Sequence, residues 1–267
     1  MPSMIDHIVI ISDDLDTAIA SAREAGFTVV PGGTHGDGNT HNALIGFADG
    51  AYIELIAPTE QGRSAEHRWF NRLRNGGGMV DFCLLGEDLD TEIEGVRQRG
   101  IGYPEPFDMA REKPDGTRIA WKLSTPPGAV GERGWPFMIE DTTPRDLRVP
   151  QEPEKVNHPN GATGVAGITV LVRDLQTSTR EYEAILGTTA QDLRSPFDDR
   201  QLGAILPLGP HWILLTEPGS NEATEHLERH GKGPYRLTLR THDGPISPGS
   251  GTPLDAALFS GARIALA

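Results

Sequence analysis

The chain has 267 residues, a formal net charge of −14 and one cysteine, Cys83. That length suits one large or two ordinary domains with a real core. The acidic balance argues against nucleic acid or an anionic membrane as partner, one cysteine excludes an intramolecular disulfide, and no apolar run approaches membrane-spanning length.

In chain order, Met4–Ile11 is so rich in isoleucine and valine that it reads as a strand buried on both faces. Ser12-Asp13-Asp14 then caps a helix that Gly26 ends. Strands follow at Phe27–Val30, Asn42–Phe47 and Ala51–Ile56, the last two joined by the hairpin signal Asp49-Gly50. A Gly-rich loop, Thr34–Asn39, lies between the first two of these. A polar stretch with a helix at Ser64–Arg74 leads to a second unit of the same order. Its strand Met79–Leu85 and helix Leu89–Arg99 precede strands at Arg118–Leu123 and Trp135–Glu140. The proline- and charge-rich stretch after Thr142 predicts a linker over 146–161, separating a first domain, 1–145, from a second, 162–267. The second domain has strands at Val165–Val172, Leu202–Leu206 and Trp212–Thr216, then an abbreviated unit with strands at Tyr235–Arg240 and Ala256–Ala265.

These units are repeats. Asp14-Leu15-Asp16-Thr17 recurs 74 residues later as Asp88-Leu89-Asp90-Thr91, and Asp174-Leu175-Gln176-Thr177 opens a third copy. Carried back onto the strands, this register aligns His7 with Asp81 and with Gly167. It also aligns Glu54 of the fourth strand with Glu140 in the second unit and Leu214 in the third. Four equivalent strand positions of the first half thus carry His7, Glu54, Asp81 and Glu140, each on a face otherwise apolar. Buried, unpaired carboxylates cost several kcal/mol or more each. A divalent cation relieves their repulsion, and one nitrogen with three oxygens suits Zn²⁺, Mn²⁺, Ni²⁺, Co²⁺ or Fe²⁺. A hydrogen-bonded cluster sharing a proton is the alternative.

Thr40-His41-Asn42-Ala43-Leu44-Ile45-Gly46-Phe47 with Tyr52-Ile53-Glu54-Leu55-Ile56 resembles the glyoxalase-like domain family of the vicinal oxygen chelate superfamily. So do Trp135–Asp141 with Thr143-Pro144-Arg145, and His158–Ala162. The resemblance implies an α+β fold of paired βαβββ units forming two half-open barrel domains, the last unit abbreviated. It also implies a metal that chelates two adjacent oxygens of a small substrate, with His7, Glu54 and Glu140 as ligands. Asp81 stands where glyoxalase I has a histidine or related ligand, which disfavours that reaction. It also disfavours a ring-cleaving, extradiol-type dioxygenase, which expects two histidines and one carboxylate and stands as an alternative. The expected function is a metal-dependent isomerase or lyase in which Glu140, as general base, takes a proton next to a metal-polarised carbonyl. The rival reading is a metal-free binding protein of the drug-resistance type, which needs an aromatic-lined cavity; with 6% aromatic residues, composition favours the enzyme.

Candidate substrate contacts are His41, next to a strand, Trp121, and Arg145, which could clamp a carboxylate or pair with a nearby acid. His35 fits a solvated loop better than a lid, His158 fits a structural cap, and Cys83 fits buried filler. His226 and His230 are four apart on a helix, but Glu225 and Glu228 mark a solvated face. The expected setting is cytoplasmic, with a small-molecule substrate; the ligand-poor second half fits a scaffold or a homodimer surface.

Overall fold

The computed structural model describes residues 1–112, 116–195, 201–242 and 244–267. The first half runs β1 (Met4–Ile11), α1 (Leu15–Glu24), β2 (Val30–Thr34), β3 (Thr40–Gly46), β4 (Tyr52–Pro58), α2 (Phe70–Arg74), β5 (Gly78–Leu85), α3 (Leu89–Gln98), β6 (Phe107–Glu112), β7 (Arg118–Ser124) and β8 (Phe137–Asp141). One-turn α4 (Pro153–Val156) follows. The second half has β9 (Gly164–Leu171), α5 (Leu175–Leu186), β10 (Gln191–Arg194), β11 (Gln201–Leu208), β12 (His211–Thr216), α6 (Asn221–His230), β13 (Gly233–Arg240), β14 (Thr252–Pro253) and β15 (Arg263–Leu266).

The repeated Asp-Leu-x-Thr motif is a helix cap. Asp14, Asp88 and Asp174 each accept a hydrogen bond from the backbone N–H of the threonine three residues on, at 2.8, 3.1 and 2.6 Å. Each repeat thereby sets the point where its helix leaves its strand. The architecture is the expected α+β one of repeated βαβββ units: an eight-stranded sheet ordered β2-β3-β4-β1-β5-β8-β7-β6 and a seven-stranded sheet ordered β10-β11-β12-β9-β13-β15-β14. In both, the first strands of paired units lie antiparallel at the centre, and each is flanked by the last strand of its own unit in parallel. One apolar cluster draws on both sheets, from Ile5 and Phe82 to Ile168 and Ile264. A second, including Val9, Cys83, Trp121 and Phe137, sits apart from it within the first sheet.

Every central strand carries a β-bulge at the same repeat position. The register shifts place the extra residue at Asp6, Val80, Ala166 and Tyr235. A bulge turns two successive side chains toward one side. It therefore ends the simple alternation that would group Ile5 with His7 and Met79 with Asp81: Ile5 and Met79 join the core shared by the two sheets, whereas Val80 joins the cluster inside the first.

Some elements differ from expectation. The stretch 146–161 is packed against the first half: Arg148, Val149 and His158 are buried. His158 Nδ1 accepts from Thr28 N–H at 3.0 Å while Nε2 reaches Gly46 O at 2.9 Å. Residues Ala256–Phe259 form a 3-10 turn, because Ser260 and Gly261 both adopt positive φ and break the chain before β15. Gly167, at the repeat position of His7, lies under the Trp212 indole; a Cβ there would meet that ring at 2.2 Å. The second half has filled with tryptophan the place where the first half presents its histidine.

Candidate functional site

The concave side of the first sheet holds a cavity of about 230 Å³, walled mainly by apolar groups. His7 on β1 and Glu54 on β4 form its polar floor, both buried. His7 Nε2 lies 3.7 Å from Glu54 Oε2. The His7 ring is fixed between a stacked Tyr52, centroids 4.6 Å apart, and an edge-on Phe137 at 5.2 Å. The bulge brings Asp6 beside His7, so that two neighbours on one strand can bond, Nδ1 to Oδ1 at 2.6 Å. That contact reserves Nδ1 and leaves Nε2 facing Glu54, the arrangement by which a second carboxylate orients a functional imidazole.

Asp6 is fully buried. Arg148 bonds both its oxygens at 2.9 Å, Arg145 bonds Oδ2, and both arginines also engage Asp141. Burial alone would raise the Asp6 pKa, but the guanidiniums and His7 together hold it well below the ordinary carboxylate value. Arg145 also donates to Gly50 O, so it serves this buried network and does not line the cavity. The expectation that it reaches substrate is not met by its position.

Glu54 accepts from Asn42 Nδ2 at 2.6 Å, and His35 Nε2 lies 3.4 Å from the same oxygen. Burial opposes its charge, yet the contacts to His35 and Asn42 outweigh it and bring the pKa to about 2. His35 is held through Nδ1 by Thr40 Oγ1 at 2.6 Å and borders the cavity, so it is no solvated loop residue. Alternation on β3 puts Thr40, Asn42 and Leu44 on the cavity side and leaves His41, expected at the substrate, outside the lining. Trp121 does line the cavity, with Tyr52, Trp69, Phe107 and Phe137.

The structure does not bring the two remaining predicted ligands to the floor. Asp81 does occupy the repeat position of His7: His7 pairs with Cys83 across the strands, and Asp81 with Val9. Its carboxylate, however, accepts from Trp69 Nε1 and faces Arg68, each at 3.1 Å, and from Phe82 N–H at 3.0 Å. Burial raises its pKa, with Arg68 and Trp69 opposing. Glu140 lies on the other face of β8, where it accepts from Leu89 N–H at 2.8 Å and caps α3. Glu54 sits opposite Val9, and the corresponding residue opposite Cys83 is Phe137. The true offset is three residues shorter than the one that selects Glu140, and an odd difference exchanges the faces of a strand.

Asp6, His7 and Cys83 present potential ligand atoms within 4.8 Å of one another. Both Asp6 oxygens are already bonded to guanidiniums, and burial pushes the Cys83 thiol well above its ordinary pKa, so the thiolate a metal needs is disfavoured. His7 and Glu54 suit a cation better: the imidazole nitrogen that the Asp6 contact leaves free and an ionised carboxylate lie 3.7 Å apart on the cavity floor.

Arg68, Arg111 and Arg148 are the cationic side chains of the lining. Arg148 and Arg68 have carboxylate partners. Arg111 on β6 donates to Gly32 O at 2.7 Å, and among the described residues no carboxylate pairs with it. Burial lowers its pKa.

Solved structures share this fold. A hypothetical protein from Staphylococcus aureus aligns over 98% of both chains with a TM-score of 0.72 at 14% identity. A mutant of 4-hydroxymandelate synthase from Streptomyces coelicolor aligns over 91% of this chain and 72% of its own, with a TM-score of 0.56 at 14% identity. A xylose isomerase-like TIM barrel/4-hydroxyphenylpyruvate dioxygenase fusion protein gives 0.55 at 13% identity, over 91% of this chain and 38% of its own. At such identities the likeness establishes the fold alone. No curated protein matches in sequence, and among the described residues no helix is long and apolar enough to cross a membrane. Residues 5–186 match the glyoxalase-like domain, and the chain belongs to that family.

Proposed function

We propose that the chain is a metal-dependent enzyme of the isomerase or lyase kind, acting on a small oxygenated metabolite with an apolar body and an acidic group. The observation that carries this reading is the facing pair His7 Nε2 and Glu54 Oε2, with Asp6 fixing the imidazole from behind. These two would hold a divalent cation, with adjacent oxygens of the substrate beside it. A bound divalent ion would polarise those oxygens and acidify the neighbouring C–H. His35, His7 and Asn42 together keep Glu54 ionised, and the Asn42 amide aims it. His35, whose Nδ1 is tied to Thr40, presents Nε2 beside Glu54 and would take the C–H proton there and return it to the product, since an imidazole can both accept and release one. Arg111 takes the substrate's acidic group, and the aromatic wall around Trp69 and Trp121 excludes water from the apolar part.

The test is metal titration of demetallated protein with Zn²⁺, Mn²⁺, Co²⁺, Ni²⁺ and Fe²⁺, followed by a screen of hydroxy and keto acids. Stoichiometric binding that is lost in H7A and E54Q, with turnover of one acid class, supports the reading. Absence of binding to any of the five metals would sink it. Because His7, His35 and Glu54 are also the residue types of non-haem iron sites, the Fe²⁺ arm includes oxygen uptake with aromatic substrates.

A second reading, metal-free sequestration of a small molecule, has one observation in its favour. Aromatic residues are few in the chain, but five of them line this one cavity. Tight ligand binding that survives H7A and chelators would select it.

A further inference from the structure

A second cavity, of about 330 Å³, lies where the two halves meet. Its walls come from α2 and the Gly76-Gly77 turn of the first half, and from α6 and residues 260–263 of the second. Arg72, Arg229 and Arg263 converge there with His226 and His230, whose rings are 4.7 Å apart. Lys232 lies just beyond, in an adjoining hollow it shares with Arg72 and Arg229. On a chain of net charge −14 this is a local excess of the opposite sign.

The cations are largely unmatched. Arg72 Nε donates to Gly77 O at 2.6 Å, and neither Arg72 nor Arg229 has a carboxylate partner among the described residues. Arg263 bonds Glu222, lies over the Tyr235 ring at 4.4 Å and meets His226 Nδ1 at 3.4 Å. Glu225 is the other acid at the rim. Burial and the neighbouring guanidiniums bring Arg72 down to about 10, His226 to about 3 and His230 to about 4. Helix-end stabilisation accounts for part of the charge, since Arg229 and His230 close α6 and Arg72 closes α2. A helix C-terminus carries only about half a negative charge, and α2, five residues long, carries less. Three guanidiniums and an ammonium exceed that.

We propose that this seam is a second ligand site, for a multiply charged oxyanion of the phosphate type. The three guanidiniums supply forked donors that match tetrahedral oxyanions, and the neutral imidazoles add N–H groups beside them. The ligand would touch both halves at once, and its binding would couple them. The site shares no residue with the floor of the first cavity, and the proposal stands independently of the function assigned there.

The experiment is calorimetric titration of the full chain with pyrophosphate, inorganic phosphate and glycerol phosphate, at constant ionic strength, with chloride as control. R229Q and R263Q are the variants of choice, because Arg72 also ties the Gly77 turn. Saturable one-to-one binding that each variant weakens by about tenfold supports the site. So does a rise in the NMR titration midpoints of His226 and His230 when the ligand is bound. Organic phosphate binding more tightly than inorganic phosphate would identify an esterified ligand, and the reverse order a free one. Binding that does not saturate, or that R229Q/R263Q leaves unchanged while the variant stays folded, would overturn the proposal.

Discussion

The substitution Asp6→Asn tests whether the cavity floor rests on the buried charge network behind it. Asp6 and Asp141 balance Arg145 and Arg148, and the Asp6 and Arg148 side chains are 0% and 5% exposed. Removing one negative charge leaves a guanidinium uncompensated in the interior, which costs about 3–5 kcal/mol. Arg148→Met should cost a similar amount for the opposite reason, stranding Asp6 with one partner fewer. The double variant restores neutrality, with Asp141 facing Arg145, so its cost should fall short of the two single costs combined by about 2 kcal/mol. Urea unfolding of all four proteins measures each value. At the floor, D6N keeps an acceptor for His7 Nδ1 but loses its charge, and metal affinity should drop by roughly 10–100-fold. A D6N protein that unfolds within about 1 kcal/mol of the parent, or single costs that simply add, would refute this role for the buried network.

Other outcomes follow from the same geometry. Gly32→Ala would put a Cβ 2.0 Å from Asn42 Oδ1, so Asn42 must withdraw from Glu54; metal affinity should weaken, with a stability loss of about 1–3 kcal/mol read by thermal melting. Glu54 has a folded pKa of about 2 against an ordinary 4.5, so its stabilisation is complete above pH 4.5 and is lost as pH falls toward 2. Acid unfolding of E54Q should therefore lack up to about 3 kcal/mol of the parent's dependence in that window. Glu140→Ala should cost about 1 kcal/mol through the lost α3 cap while leaving cavity ligands and metal bound as before; impaired binding would return Glu140 to the site. Cys83, fully buried with its thiol pKa pushed up, should react with a thiol reagent only on unfolding, so labelling that outpaces unfolding would contradict its packing.

Much of the architecture was legible because it is written locally. The Asp-Leu-x-Thr caps recur at fixed spacing, and each fixes the end of one strand and the start of one helix, so repeat order and fold class emerge together. His7 and Glu54 were legible for a related reason: a charged residue inside an apolar strand is expensive and stands out. Asp6 was not. In a regular strand it would point away from His7, and nothing in Met4–Ile11 marks the bulge that turns the two together. Asn42 and His35 were obscured in the same way. The first is an ordinary polar residue until the β3–β4 register puts it beside Glu54, and the second becomes a cavity residue only through the path of a glycine-rich loop.

Glu140 exposes a sharper limit. A strand buried on both faces has no alternation to reveal which face a residue joins, so its side can be inferred only from register. The loop between β7 and β8 has no counterpart of equal length in the first unit, and the alignment across it is free to slip. Sequence similarity favours matching Glu54 with Glu140, yet backbone pairing matches Glu54 with Phe137. The consequence reaches the chemistry. Of the four repeat positions that could face the centre, the second unit contributes Asp81, engaged by Arg68 and Trp69, and Phe137, which packs on His7. The polar floor is therefore supplied by the first unit alone, and its third polar contact, His35, comes from a loop of that same unit. A site divided evenly between paired units would be disrupted by prising the units apart. This one should keep its His7–Glu54–His35 grouping as long as β1, β3 and β4 stay together, and the second unit acts on it as a wall.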